Sequence, residues 1–146
     1  MFQNKKGFTL IEMLVVIAII AILVSIVVPT VSNGSLKAKA ATDAANLRVV
    51  LGLLNVDVIN GDKTVQQIID ASLNPSSKMD PDAKLCAVFE TPGFVEVFYF
   101  NSSTGIYYSI EYLGELASNG PSSPALDVIG TEKPNIPGGI WYTVNP

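Results

Sequence analysis

A nearly unbroken apolar run close to the N-terminus constrains this chain more than any other feature. The run covers the 21 residues 8–28, and only Thr9, Glu12 and Ser25 within it are not apolar. As a helix it would be about 31 Å long at about 1.5 Å per residue, which matches a bilayer hydrocarbon core of about 30 Å. We therefore expect a helix that spans a membrane, followed by a domain in water.

The charges around the run predict its orientation. Lys5 and Lys6 precede the run, and no acidic residue does. Because flanking basic residues tend to stay on the cytoplasmic side, we expect a cytoplasmic N-terminus and an outward-facing remainder. Beyond the run, seven basic residues stand against twelve acidic ones, a net charge of −5. Nucleic acid is not an expected partner, because phosphate binding needs clustered Lys and Arg.

Glu12 is the residue that a plain membrane anchor does not explain. A charge at mid-bilayer depth costs about 2.5–3.5 kcal/mol on insertion scales, and such groups are usually functional and paired. An uncleaved signal anchor accounts for the run and its lysines but leaves Glu12 unexplained. A secretory signal peptide is a further alternative, but its one candidate cleavage site, Ala38-Lys39-Ala40, lies ten residues beyond the run. Signal peptides are normally cut closer to a shorter run.

A third interpretation rests on residues 5–29, KKGFTLIEMLVVIAIIAILVSIVVP. This stretch resembles the class III signal of type IV prepilins and their relatives. The resemblance implies that Gly7 ends a leader peptide and that prepilin peptidase cuts before Phe8 and methylates the new amine. One departure is that many relatives carry a glycine midway along the run, where this chain has Ile20-Ala21-Ile22.

The resemblance also assigns roles in assembly. It implies that Glu12 pairs with the Phe8 amine of a neighbouring subunit, and that Pro29 ends the lipid-spanning part of the helix. Lys5 and Lys6 orient the chain before they are removed with the leader. The domain organisation that follows has a leader at residues 1–7, a membrane and filament-core helix at 8–28, and an amphipathic continuation at 29–60, with a globular head at 61–146.

The resemblance further implies a structural subunit of a type IV pilus-like filament, a helical homopolymer that serves adhesion, motility or related surface functions. Expected partners are other copies of the chain, prepilin peptidase and the pilus assembly machinery. The subunit would be stored in the membrane and would end in an extracellular filament. A minor pilin, or a pseudopilin of a type II secretion or DNA-uptake machine, is the alternative. We expect neither an enzyme nor a cofactor: the chain has no histidine and one cysteine.

Beyond the run the pattern predicts an α+β fold, with the long N-terminal helix packed on a small antiparallel sheet. Pro29 should kink or open the helix, because proline cannot donate an amide hydrogen bond. Helical spacing then resumes at about Ser35 and continues to about Val58, with a stop near Asn60-Gly61. Its apolar face contains Leu36, Ala40, Ala44, Leu47, Leu51 and Leu54. The charged residues Lys37, Lys39, Asp43 and Arg48 are expected on the other faces.

The head is expected to begin with a short helix and to continue as strands. Thr64 and Gln67 have the spacing of a capping box at a helix start. From Lys84 the pattern has a period of two and is rich in aromatic and β-branched residues, which predicts strands at Leu85–Glu90, Phe94–Phe100 and Ile106–Leu113, with a final strand at Ile140–Val144. Short connections make successive strands antiparallel. Residues 114–139 are rich in Gly, Pro, Ser and Asn, and their fold is not predicted.

Other candidate sites in the head have simpler explanations. The aromatic residues Tyr107, Tyr108, Tyr112 and Trp141 are expected to pack in the fold, and Cys86 is expected to be a small buried side chain. Asp80-Pro81-Asp82 offers two carboxylates, too few for the six to eight oxygens that Ca²⁺ takes. The glycosylation sequons at Asn33 and Asn101 are attributed to chance.

Overall fold

A computed structural model describes residues 7–72, 76–89, 95–130 and 139–143. The fold is α+β, as predicted. In chain order the elements are α1 (Leu10–Asn60), α2 (Val65–Ala71), β1 (Lys84–Phe89), β2 (Val95–Asn101), β3 (Ile106–Ser109), α3 (Ile110–Asn119), α4 (Ala125–Ile129) and β4 (Ile140–Thr143). The chain divides into two compact units, Met1–Ser35 and Leu36–Pro146.

The first unit is helical from Leu10 onward. Helix α1 runs without a break through Pro29 and Gly34, so the predicted opening of the helix at Pro29 is wrong. The φ of proline is compatible with a helix. The main cost at Pro29 is therefore one missing hydrogen bond, because proline has no amide hydrogen to donate to the carbonyl of Ser25. The described side chains from Phe8 to Val28 are all exposed, which leaves this segment without a core of its own.

The second unit has its core between α1 and the sheet. The described core residues of α1 are Ala40, Ala44, Leu47, Val50 and Leu54, whose spacing of three and four places them on one helical face. They cluster with Leu85 and Ala87 of β1 and with Val97 and Tyr99 of β2. This arrangement confirms the predicted packing of an amphipathic helix against the sheet.

Helix α2 forms where its cap predicts. The Thr64 side chain accepts a hydrogen bond from the Gln67 amide, and the Gln67 side chain accepts one from the Thr64 amide, at 3.3 and 2.9 Å. Both halves of the capping box are therefore present. Val65, Ile68 and Ile69 are buried and join the same core.

The four described strands form one antiparallel sheet in the order β3-β2-β1-β4. Ala87 of β1 lies opposite Val97 of β2, and Val88 lies opposite Trp141 of β4. The last strand is thus the neighbour of the first. Of the predicted strand ends, Glu90, Phe94 and Val144 lie outside the described residues.

The predicted strand Ile106–Leu113 is wrong in its second half. Strand β3 ends at Ser109, and α3 begins at Ile110. Ser109 is the N-cap, because its side chain accepts a 3.0 Å hydrogen bond from the Tyr112 amide. Leu113 and Leu116, three residues apart, are buried in the core. The Ser109 cap and the buried face of α3 therefore explain why residues 110–113 are helical, although their aromatic and β-branched composition predicts a strand.

The described part of residues 114–139 contains the rest of α3 and the short α4. Helix α3 ends at Asn119 and is capped by Gly120, whose φ of 87° is a conformation that other residues rarely adopt. Lys37 of α1 donates a 2.9 Å hydrogen bond from Nζ to the Ser118 carbonyl and so satisfies an end carbonyl of α3. Leu126 of α4 is buried in the main core.

Candidate assembly site

The N-terminal unit presents the largest apolar surface of the described residues. Phe8, Leu10 and Ile11 are 71, 84 and 69% exposed, and the apolar side chains that follow stay exposed through Val28. By length and composition, α1 is the one described helix that could cross a membrane. An exposed apolar surface of this size is typical of a segment that contacts lipid or another protein.

Thr9 and Glu12 form a reciprocal cap at the start of α1. The amide and the hydroxyl of Thr9 each donate a 2.8 Å hydrogen bond to Oε2 of Glu12. The amide of Glu12 in turn donates to the Thr9 hydroxyl at 3.3 Å. These bonds satisfy two amides that would otherwise be unpaired at the helix start.

The capping role of Thr9 was missed in the sequence, although the signal was present. Thr9-Leu10-Ile11-Glu12 has the same spacing as the capping box that correctly predicted α2. The cap gives Glu12 a function within one copy of the chain. One carboxylate has more lone pairs than the Thr9 donors occupy, so it retains acceptor capacity for a partner.

The structure brings some of the predicted site residues together. Phe8 and Glu12 line one shallow cavity of about 340 Å³, together with Ile11, Val15 and Val16. Gly7 is exposed in the coil before the helix, and a Cβ added to it would meet nothing within 4 Å. Pro29 lies inside α1, well separated in sequence from this group. Lys5 and Lys6 lie outside the described residues.

Asp43 in the second unit corrects an expectation. It was predicted on an outer face of the helix, but it is fully buried. Its carboxylate accepts hydrogen bonds from the Ser77 hydroxyl at 2.6 Å and from the amides of Lys78 and Met79 at 2.7 and 2.9 Å. The carboxylate can be buried because these donors replace water, and it fastens the loop before β1 to α1.

Asp80 continues this polar network toward the sheet. Its Oδ2 accepts hydrogen bonds from Nδ2 of Asn101 at 2.9 Å and from the hydroxyl of Tyr108 at 3.1 Å. Burial acts to raise the pKa of Asp80, but the hydrogen bonds from Asn101, Tyr108 and the Asp82 and Ala83 amides outweigh it, so this pKa lies below its usual value. Within the described residues no cluster of metal-ligating side chains occurs.

Asn101 is poorly accessible as an acceptor for a glycan. It is buried, and its side chain donates to Asp80 and accepts hydrogen bonds from the Ser103 and Thr104 amides. A glycan on Nδ2 would displace these contacts. Its role in the described structure is to hold the turn between β2 and β3.

The aromatic residues and Cys86 pack in the fold, as predicted. Phe98, Tyr107 and Trp141 form edge-on or tilted ring pairs with centroid separations of 4.9 to 5.9 Å. Cys86 is buried in the same cluster with Val88. Burial raises the pKa of its thiol to about 11, so it is a packing residue and not a nucleophile.

Comparisons with known proteins agree with the chemistry of the N-terminal segment. The prokaryotic N-terminal methylation motif matches residues 2–28. The chain is 37% identical over 83 residues to the type II secretion system core protein G of Aeromonas hydrophila, an alignment that covers 54% of this chain and 57% of that protein. It is 49% identical over 53 residues to the type IV wide pilus major component PilA4 of Thermus thermophilus, which covers 36% of this chain and 35% of that protein.

The chain therefore spans between about one third and somewhat more than half of the length of the curated relatives it matches. No solved structure matches it significantly. The family motif coincides with the exposed apolar helix, the Thr9–Glu12 cap and the accessible Gly7. Residues 2–28 thus carry the prokaryotic N-terminal methylation motif, and part of the chain is similar to a type II secretion core protein and to a type IV pilus component.

Proposed function

We propose that this chain is a structural subunit of a type IV pilus-like filament. The observation that carries the proposal is that the methylation motif coincides with the apolar first part of α1, whose described side chains are all exposed and which has one carboxylate near its start. In the membrane, lipid covers this surface. In a filament, the helices of other copies cover it instead.

Cleavage between Gly7 and Phe8 prepares the helix for assembly. It removes Lys5 and Lys6 and creates a positive amine one turn away from Glu12. When helices stand side by side with a small stagger, Glu12 of one copy meets the Phe8 amine of the next. The pair offsets the cost of the carboxylate in an apolar medium, so the charge favours association over isolation.

The proposed topology follows from the same residues. The N-terminus is cytoplasmic and the helix crosses the membrane once, so the head lies outside before assembly and on the filament surface afterwards. The head acts as a building block and not as an enzyme. Its described buried carboxylate, Asp43, is occupied by hydrogen bonds that hold the fold.

A pseudopilin of a type II secretion machine is the second candidate. It is favoured by the longer of the two alignments, 83 residues with the secretion core protein against 53 with the pilus component. Both candidates use the same N-terminal chemistry and differ in how many copies form a filament. The amount of this chain in sheared filaments separates them, since a pilin is the dominant band and a pseudopilin is not.

The mature N-terminus tests the shared part of the proposal. Mass spectrometry of the chain purified from its own membranes should find N-methylated Phe8. A Gly7→Leu variant should keep residues 1–7, since the bulky side chain blocks the protease, and Gly34→Leu is the matched control on the same helix. A chain that begins at Ala41, or an uncut native chain, would contradict the proposal.

A further inference from the structure

A cavity of about 310 Å³ lies between α1 and α2 in the second unit, and we call it the α1–α2 groove. Its apolar walls are formed by Val49, Val50 and Leu53 of α1 and by Ile68 and Ala71 of α2. Small-molecule sites in proteins have volumes of this order and a mainly apolar lining with a few polar groups. The groove is therefore a candidate for a ligand site in the head.

The α1–α2 groove has a closed floor and an open rim. Val50 and Ile68 are 6 and 4% exposed and belong to the core, whereas Val49 and Leu53 are 62 and 45% exposed. A ligand can therefore enter from the side of Val49 and Leu53 while the core keeps its packing. The ligand would remove apolar surface of both rim residues from water, which favours binding.

Polar residues lie at both ends of the groove. At one end Asp57 of α1 forms an ion pair with Lys63, whose Nζ is 3.4 Å from Oδ2 of the aspartate. Lys63 precedes α2 and Ser72 follows it, so Ser72 belongs to the opposite end, together with Asn46. From Asn46 to Asp57, α1 rises by about 16 Å at about 1.5 Å per residue. The groove is therefore elongated along α1.

The volume of the groove limits the size of its ligand. An engineered cavity of about 150 Å³ holds one benzene molecule, so a cavity about twice as large holds about twelve non-hydrogen atoms. In an elongated space, this number corresponds to an alkyl chain of about ten carbons with a small head group. A phospholipid carries a second acyl chain and a larger head group, for which the groove has no room.

The charges at the Lys63 end favour an anionic head group. The side chain of Lys63 is 56% exposed and that of Asp57 is 21% exposed, so the ammonium is the more accessible member of the pair. An ammonium group has three donors, and the pair with one carboxylate leaves donors for a second acceptor. A carboxylate at the end of the alkyl chain can therefore bind Lys63 while the chain lies between the helices.

We propose that the α1–α2 groove binds a free fatty acid of about ten carbons, with its alkyl chain between α1 and α2 and its carboxylate on Lys63. The proposal goes beyond the filament role, since it needs only the folded head. Its outcome is therefore independent of the yield of filaments.

Methyl NMR of the full chain in phospholipid nanodiscs tests the proposal. Decanoate is added to protein with labelled Ile, Leu and Val methyl groups, and its free concentration is measured in the aqueous phase. We expect the methyl signals of Val49, Leu53 and Ile68 to shift and to saturate. The methyl signals of Leu126 in α4, which does not line the groove, should stay in place. Octanoate should bind about tenfold more weakly, because it has two fewer CH₂ groups to bury.

A variant that fills the groove supplies the first control. Ala71 is exposed on α2 and lines the groove, so Ala71→Phe should fold and should abolish the saturating shifts. Ala41→Phe makes the same change at an exposed position of α1 outside the groove and should bind decanoate as the native chain does.

Variants of the ion pair test where the carboxylate binds, and they change only side chains near the surface. Lys63→Met should weaken binding by about threefold, whereas Lys63→Arg should retain it. Asp57→Asn removes the competing acceptor and should strengthen binding by a similar factor.

Saturating shifts that Ala71→Phe abolishes and Lys63→Met weakens support the proposal. The absence of saturating shifts in the native chain, or equal shifts in Ala71→Phe, overturns it. Equal affinities of the native chain and Lys63→Met overturn the placement of the carboxylate. Contacts between the groove methyl groups and phospholipid acyl chains before decanoate is added would identify a different occupant and would also overturn the proposal.

Discussion

The hydroxyl of Ser77 donates a 2.6 Å hydrogen bond to the fully buried carboxylate of Asp43, 34 residues earlier in the chain. Two backbone amides complete the coordination of this carboxylate. Asp43, in the middle of α1, thus acts on the loop before β1 as a capping residue acts on a helix end. It accepts hydrogen bonds from donors of that loop that would otherwise be buried without partners.

Removal of Asp43 should therefore destabilise the head strongly. Asp43→Ala leaves three donors without their acceptor, and we expect a loss of about 3 kcal/mol in the free energy of unfolding. Urea unfolding of the full chain in detergent, followed by the fluorescence of Trp141, measures the loss. Asp57→Ala is the control on the same helix. Its ion pair with Lys63 lies at the surface at 3.4 Å, so its loss should cost no more than about 0.5 kcal/mol.

Acid should weaken the head through Asp80. Hydrogen bonds outweigh burial and lower the pKa of Asp80 in the folded state. The stabilisation is therefore complete above the unfolded-state pKa of about 3.9 and is lost as the pH falls through the lower folded-state pKa. The urea midpoint of the native chain should fall across this window, and the midpoint of Asp80→Asn should fall less. Parallel curves for the two chains would exclude Asp80 as the cause.

Three variants at the start of α1 separate the two roles of Glu12. Glu12→Ala should still insert into the membrane but should assemble poorly. Glu12→Gln keeps an acceptor for the Thr9 amide and removes the charge, so it should assemble as poorly as the alanine variant. Thr9→Val removes the hydroxyl and keeps the charge, so it should assemble well.

Filament yield after shearing, with membrane fractionation as the insertion control, measures these outcomes. Normal yield from Glu12→Ala would refute any assembly role for the carboxylate. Normal yield from Glu12→Gln together with poor yield from Thr9→Val would show that the cap, and not the charge pair, is what assembly needs.

Cys86 should be inert toward thiol reagents in the folded chain. Burial raises the pKa of its thiol to about 11, so at about pH 8 roughly one molecule in a thousand carries the reactive thiolate. Alkylation measured by mass should be negligible in native buffer and complete in urea. Rapid labelling of the native chain would show that the aromatic cluster around Cys86 opens easily.

Local signals in the sequence predicted much of this fold. The aromatic and β-branched residues of the predicted strands, the short connections and the Thr64 capping box all act over a few residues, so a single sequence displays them. The Ser109 cap and the Thr9–Glu12 cap are just as local. The capping signal of Ser109 was overlooked because its aromatic and β-branched neighbours favour a strand. The capping signal of Thr9 was overlooked because its segment was interpreted through hydrophobicity alone.

Asp43 shows what a single sequence cannot display. Its burial depends on donors from Ser77 to Met79, which are brought to it only when the chain returns to α1.

The hydrogen bonds of Asp43 also have a mechanical consequence. From Asp43 they pass to Ser77, whose hydroxyl accepts the Asp80 amide, and from Asp80 to Asn101 and Tyr108 on β2 and β3. A force that pulls on α1 is therefore shared between the apolar core and a series of directional bonds that reaches the far side of the sheet. In a fibre under tension, these hydrogen bonds would resist the separation of α1 from the rest of the head. The force would then not fall only on the strands that pack against α1.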